Sequence, residues 1–424
     1  MKKKLVFINR FFHPDHSATS QMLSDLAFGI AERDEFDVHV VASRLRYDDP
    51  AVRLPALEQA AGLTVHRVWT SRFGRHNLWG RLLDYLSFYL AATVALFRLA
   101  DARTTIVAKT DPPLISVPAA AVAKLRSAGL VNWIQDLFPE VAGALGVGLA
   151  KGPVYCWLRR LRNFSLHAAE ANIAIGELMK ARLIGEGVPP DRIAVIHNWA
   201  DGAAITPVRP ECNSLRTEWG LDGKFVVGYS GNLGRGHEFT TILEAADALR
   251  DDPRVVFLMI GGGANFVALR EAVAARQLGN FVFKDYQPRE ILAASLSAAD
   301  VHLVSLRPEL EGLIVPSKCY GIAAAGRPIL FIGAEAGEVA GMVRRDGTGF
   351  RVAPDDFAGL AARILDMAGD PSAVAAMGRS ARQVFDARYS LGAALDSWRA
   401  ILARVGQAPN GKAVAASEAA AEAR

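Results

Sequence analysis

Three loops and one strand end carry residue types that can handle a phosphorylated or hydroxyl-bearing ligand. The loop Gly228-Tyr229-Ser230-Gly231-Asn232-Leu233-Gly234-Arg235-Gly236-His237 follows a β-branched run and precedes a helical pattern. Its glycines let backbone N–H groups approach an anion, and Arg235 can add a charge-assisted bond to a phosphate oxygen. It lacks the G-x-G-x-x-G order of dinucleotide binders and the closing Lys-Ser/Thr of a P-loop. Asn232 stands where a nucleophile elbow would place its last glycine. The second loop runs through Pro308-Glu309-Leu310-Glu311-Gly312 to Val315-Pro316-Ser317-Lys318 and a small-residue helix ending at Gly326. Pro316 suits a first helical turn, and Ser317 and Lys318 make that start a second anion site. Glu309 and Glu311 either accept hydrogen bonds from sugar hydroxyls or form a solvated acidic turn.

The third loop is Phe11-Phe12-His13-Pro14-Asp15-His16-Ser17-Ala18-Thr19-Ser20. Its hydroxyls can meet a ligand or cap the following helix. His13 and His16 are three apart with no third histidine nearby, a weak metal signal. Asp136, in Trp133-Ile134-Gln135-Asp136-Leu137-Phe138-Pro139-Glu140, ends a strand. It can orient or deprotonate a hydroxyl, or cap the next helix.

These loops need strands to hold them, and the pattern supplies strands. Apolar β-branched runs at 4–9, 38–42, 65–68, 105–108, 131–134, 171–175 and 193–197 alternate with helical stretches such as 21–32. The plan restarts at 224–230, then 255–260, 282–284, 301–305 and 329–332, with a helix at 238–249. Alternation of this kind predicts parallel sheets, so the expected class is α/β, with two Rossmann-like domains facing across a cleft. Ligands of such sheets bind beyond the carboxyl ends of the strands, where all four segments lie. The expected boundaries are 1–205 and 206–385, then a helix at 386–405 packing back on the first domain and a disordered tail at 406–424. Residues 201–223 read as the linker.

A chain of 424 residues suits two domains. Hydrophobic residues at 51% and charged residues at 22% fit a packed globular protein. Three cysteines, none in a C-x-x-C pair, exclude a disulfide scaffold and a cysteine zinc site and suit the cytoplasm. The short apolar run after the basic start is a strand rather than a secretion signal. The net charge of +4 is uneven: residues 1–200 hold 24 Lys and Arg against 18 Asp and Glu, and the rest hold 24 against 26. That favours an anionic surface or substrate near the first half. No basic run interleaved with aromatics points to nucleic acid. No apolar run reaches the ~20 residues of a membrane span. Residues 85–97 are 13 uncharged residues flanked by Arg72, Arg75, His76, Trp79, Arg81, Arg98 and Arg103. This run suits either a helix lying on an anionic leaflet or a wide-faced core helix.

From residue 5 to about 402 the chain resembles the GT-B-fold glycosyltransferases of family four, notably those of bacterial colanic-acid, capsule and O-antigen assembly. The resemblance rests on Phe12-His13-Pro14-Asp15, Asp136-Leu137-Phe138-Pro139, Ile196-His197-Asn198-Trp199-Ala200-Asp201, Ser230-Gly231-Asn232-Leu233-Gly234-Arg235, Ile260-Gly261-Gly262-Gly263 and Val315-Pro316-Ser317-Lys318. It implies a nucleotide-sugar donor in the second domain and a lipid-linked saccharide acceptor in the first. The enzyme would be peripheral on the inner face of the plasma membrane, without nucleic acid, cofactor or metal, and retaining in stereochemistry. Phosphate contacts are then expected from Gly231, Asn232, Gly234, Arg235, Pro316, Ser317 and Lys318. Base and ribose contacts are expected near Gly261, Gly263, Tyr286 and Glu311, with Asp136 and His13 on the acceptor. Gly321 departs from the family, standing where many relatives carry a glutamate. The alternatives are a sugar-nucleotide epimerase or hydrolase of the same fold, and a serine hydrolase built on Ser230 and His302.

Overall fold

The structure is a computed structural model describing residues 2–15, 17–47, 49, 52–74, 78–146 and 152–406. Four predicted features, His16, Arg75, His76 and the tail from 407 on, lie outside the described residues. The chain forms two compact units. One comprises the residues up to His197 together with those from Ala394 on, and the other is Asn198–Ala393.

The first unit is built on an eight-stranded sheet: β1 (Lys3–Ile8), β2 (Phe36–Ser43), β3 (Leu57–Ala60), β4 (Leu63–Val68), β5 (Thr104–Lys109), β6 (Gly129–Trp133), β7 (Ala171–Ala174) and β8 (Ile193–Val195). Their order is β3-β4-β2-β1-β5-β6-β7-β8, parallel except for the β3–β4 pair. Covered on both faces, the central strands are largely apolar, and every residue of β5 and β6 is buried, including Thr105, Lys109 and Asn132. Helices α1 (Ala18–Glu32), α2 (Leu78–Leu99) and α3 (Ser116–Arg126) flank the sheet. Phe88, Ala92 and Leu96 of α2 pack with Val6, Ile8, Ile106 and Ala119. A last helix, Leu391–Arg404, sets Trp398 edge-on against Trp133 with ring centroids 5.0 Å apart. It also places Leu395 where only a residue without Cβ, Gly29, leaves room.

The second unit carries β9 (Phe225–Asn232), β10 (Val255–Gly262), β11 (Phe281–Lys284), β12 (Val301–Ser305), β13 (Ile329–Ile332) and β14 (Gly349–Val352). All are parallel, in the order β11-β10-β9-β12-β13-β14. Tyr229, Phe257, Met259, Leu303 and Leu330 fill its core. Successive crossovers leave in opposite directions from β1/β5 in one sheet and β9/β12 in the other. In open parallel sheets such switch points are where ligands bind, beyond the carboxyl ends of those strands.

Several elements differ from expectation. β3 is a polar edge strand (Leu-Glu-Gln-Ala), and β14 is short and opens on glycine; neither has a strong apolar pattern. Residues 201–223 are more than a linker. Asn213 caps a short helix, Ser214–Glu218, by accepting the Leu215 amide at 3.2 Å, and Trp219 and Leu221 pack with Val226 and Ile260. β9 continues through Gly231 and Asn232 because they pair with Gly261 and Gly262. The following helix starts at Thr240, where Glu238 accepts the Thr241 amide at 2.9 Å. Residues 85–97 sit inside α2, whose one side is core and whose other side is exposed.

Candidate functional site

In the second unit, glycines at the ends of β9 and β10 allow two backbones to touch. Gly231, Gly261 and Gly263 have φ of +120°, +126° and +116°, a region that side-chain-bearing residues avoid. A Cβ on Gly261 would collide with the Gly231 carbonyl, and one on Gly263 with Asn232 and Leu233. The Leu233 amide bonds to Gly262 O at 2.7 Å, and Asn265 donates to Gly234 O at 3.2 Å and His237 O at 2.9 Å. Arg307, just past β12, donates its amide to Gly236 O at 3.0 Å. These bonds hold a loop that presents Asn232 and Arg235 to solvent.

Lys318 reaches this loop. Its Nζ donates to the Tyr229 hydroxyl, lies 3.4 Å from Asn232 O, and sits 3.9 Å from the centre of the Tyr229 ring. Burial lowers it from 10.5 to about 7. Tyr229 in turn donates to Asn232 O at 3.0 Å. His237 shares a 2.6 Å hydrogen bond with Ser305 O; burial and then the Lys318 charge hold it down to about 4, so it is a neutral imidazole at pH 7. Tyr286 is exposed, with its ring edge against Gly262. Ser317 is exposed and Pro316 buried, immediately before the short helix Lys318–Ala324.

Lys318 therefore joins Gly231, Asn232 and Tyr229, and Tyr286 borders the neighbouring Gly261–Gly263 turn. Glu311 turns elsewhere: it is buried and accepts the Glu338 amide at 3.1 Å, at the start of the helix Glu338–Asp346. Glu309 is solvated, 3.6 Å from Arg307. A Cβ on Gly321 would lie 3.6 Å from Leu296 and 4.0 Å from Ile205, an apolar setting. His302 is fully buried in β12 with Nε2 2.8 Å from Leu296 O and is pushed down to about 4, which removes it as the base of a serine hydrolase.

In the first unit, the loop after β1 meets the ends of β5 and β6. The Arg10 amide donates to Asp111 O at 2.7 Å, and Thr19 Oγ1 donates to Asp111 Oδ2 at 3.3 Å. Asp15 organises the loop by accepting the Ser17 amide at 2.8 Å and the Tyr47 amide. Lys109 is buried at the end of β5. Its Nζ donates to Thr19 O at 2.9 Å and lies 3.8 Å from the Trp133 ring centre. Burial drives Lys109 well below its ordinary value, while Asp111, Asp25 and Asp136 oppose that shift. Asp136 lies three residues beyond β6 rather than at its end and reaches solvent. Crowding by protein and the Asp111 charge push it up to about 6, against the pull of Lys109. His13 is exposed, with its ring 5.5 Å from Phe28 and its carbonyl accepting Arg67 at 2.7 Å. Asp136 is thus grouped with Asp111 and Lys109, and His13 with Phe28.

Sequence reasoning overlooked Tyr229, Lys109 and Asp111. A lysine closing the apolar run Thr-Thr-Ile-Val-Ala-Lys was the available signal for Lys109. Among the described residues no group of three His, Cys, Asp or Glu is placed to hold a metal ion.

Residues 18–199 match a glycosyl transferase 4-like domain, and residues 224–370 match glycosyl transferases group 1. WbjE of Pseudomonas aeruginosa, named as a glycosyltransferase, is 28% identical over 324 residues, 75% of this chain and 79% of its own. WcaI of Escherichia coli strain K12, whose name assigns it to colanic acid biosynthesis, is 30% identical over 253 residues, 58% of this chain and 61% of its own. The crystal structure of Anabaena HepE in complex with UDP-glucose superposes with a TM-score of 0.70 at 17% identity, covering 94% of this chain and 99% of that one. That of WaaG, a glycosyltransferase of lipopolysaccharide biosynthesis, gives 0.63 at 15%, covering 93% and 98%. At such identities the structural likeness establishes the fold. Two parallel-sheet units, each with a topological switch point and each matched by a glycosyltransferase domain, place this chain in the GT-B glycosyltransferase family.

Proposed function

We propose that the protein moves a sugar from a nucleoside diphosphate sugar to a lipid-linked saccharide in the assembly of a bacterial exopolysaccharide, capsule or O-antigen, without a metal and with retention of configuration. The observation that carries this reading is Lys318, lowered to about 7 and held by Tyr229 over the paired glycine turns of β9 and β10. A diphosphate seated there meets backbone N–H groups, Lys318 and Arg235. As the glycosidic bond breaks, the leaving diphosphate gains negative charge, which these donors stabilise. Retention follows from attack on the face the diphosphate leaves, the acceptor hydroxyl passing its proton to a diphosphate oxygen. Asp136 and His13, in the other unit, orient the acceptor. Both the WbjE and WcaI names are those of glycosyltransferases, which favours transfer over a fold-sharing epimerase or hydrolase. A membrane-bound acceptor fits a protein that works at the inner face of the plasma membrane.

A panel of nucleotide sugars tested by thermal shift should single out one that stabilises the protein, equally well with excess chelator. With that donor, Arg235→Ala and Lys318→Ala should each lower turnover about 10²-fold. An unimpaired Lys318→Ala enzyme, or activity abolished by chelator, would refute the proposal.

A further inference from the structure

The helix α2 is apolar on two opposite sides. Phe88, Ala92 and Leu96 form the side packed in the core. On the other side Trp79, Leu83, Leu86, Leu90, Val94 and Phe97 are all exposed, Trp79 by 77% and Leu90 by 72%. At 3.6 residues per turn these six fall within about a third of the circumference, opposite Phe88. A single exposed leucine means little, but an apolar stripe about five turns long on a solvent-exposed face needs a partner. The helix is apolar and long enough to cross a bilayer, with a mean hydropathy of 1.4 over its most apolar 18 residues. Its inner side is already committed to the sheet, so it cannot cross without dismantling the unit. It can lie on a surface.

The charges around the stripe select the surface. Within α2 the sole acid is Asp84, and it is buried. Arg72 precedes the helix and Arg98 stands near its far end; Arg81, on the first turn, lies on the Phe88 side and donates to the Tyr85 hydroxyl at 2.9 Å, and all three are exposed. Arg126 lies 5.0 Å from the Phe97 ring centre. An apolar stripe bracketed by arginines fits acyl chains flanked by anionic headgroups. A second copy of this stripe would set arginine against arginine.

Asp84 also ties the stripe to the acceptor crevice. It accepts Ser71 Oγ at 2.7 Å and the amides of Phe73 and Gly74 at 3.0 and 3.2 Å, fixing the loop that leaves β4. That loop exposes Trp69 by 61% and Phe73 by 65%. Arg10, whose amide holds Asp111 in the crevice, lies 3.7 Å from Asp84 with its guanidinium 5.2 Å from the Phe11 and Tyr85 ring centres. β4 is parallel to its sheet, so the loop and the start of α2 lie at the carboxyl edge that carries the crevice.

The geometry points to the outer face of α2, extended by Trp69 and Phe73, as a seat on an anionic bilayer that brings the acceptor crevice to the headgroups of a lipid-linked substrate. This rests on the acceptor reading given above and names the surface that would serve it.

The test is flotation of the full chain with vesicles of phosphatidylcholine alone or of phosphatidylcholine mixed with phosphatidylglycerol as the anionic lipid. Wild type should float with the anionic vesicles, and high salt should reduce but not abolish binding, because acyl insertion is insensitive to screening. The double variant Leu86→Glu/Leu90→Glu should lose binding about tenfold or more while keeping its melting temperature, since both side chains are exposed. Arg72→Glu/Arg98→Glu should lose the preference for anionic vesicles. Flotation unchanged in the leucine variant overturns the inference. So does a wild type that ignores vesicles, or one that is a dimer which the leucine variant makes monomeric. A protein that turns over nucleotide sugar without floating loses the seat and keeps the transferase reading; one that floats but binds no nucleotide sugar does the reverse.

Discussion

Donor binding should take up a proton, and Lys318 is the group that accepts it. With its ammonium against the Tyr229 ring and hydroxyl, Lys318 is lowered by burial to about 7, so at pH 8 roughly one molecule in ten carries the charge. A bound diphosphate supplies the opposite charge that burial withholds, raising Lys318 back toward its ordinary value. Linkage then fixes the slope: affinity is flat below about pH 7 and weakens about tenfold per pH unit above it, until the bound-state value is reached. Between pH 6.5 and 8.5 the expected weakening is about 25-fold. A nucleotide sugar is the right ligand, because its diester-linked diphosphate does not itself titrate in this window. Isothermal titration in buffers of differing ionisation enthalpy should report uptake of up to about 0.9 proton at pH 8. Lys318→Met should bind weakly with no slope. A pH-independent affinity in wild type, or a slope retained in Lys318→Met, would refute the reasoning.

Gly261→Ala should abolish donor-induced thermal stabilisation and cost about 1–3 kcal/mol in a denaturant melt, since its φ of +126° is strained for alanine and the new Cβ meets the Gly231 carbonyl. Asp84→Ala should cost about 1–3 kcal/mol in the same measurement, because it strips Ser71 Oγ and the Phe73 and Gly74 amides of their acceptor. Asp111→Asn removes the negative neighbour that helps raise Asp136 to about 6, so the acid limb of the pH–rate profile should move to lower pH. Lys109→Met should move it the other way, and an unmoved limb in both variants would detach Asp136 from the acceptor step.

The alternation of apolar runs and helical stretches was enough to determine α/β class and the restart of the plan near residue 224, because a parallel strand covered on both faces is mostly apolar along its length. It failed at β3 and β14, short edge strands held by pairing rather than by pattern. The glycine turns were legible because backbone contact between β9 and β10 excludes a Cβ at Gly261 and Gly263. Lys318 was legible from its place before a helix, but Tyr229, its partner 89 positions away, was not, since only the fold brings them together. Glu311 shows the converse: the sequence allowed a sugar contact, and packing turned the carboxylate onto the Glu338 amide. For residues 85–97 the sequence left a core helix and a surface helix equally open. Tertiary structure decided that α2 is core on one side and exposed on the other, because the sheet covers only one side of a helix that is apolar on two.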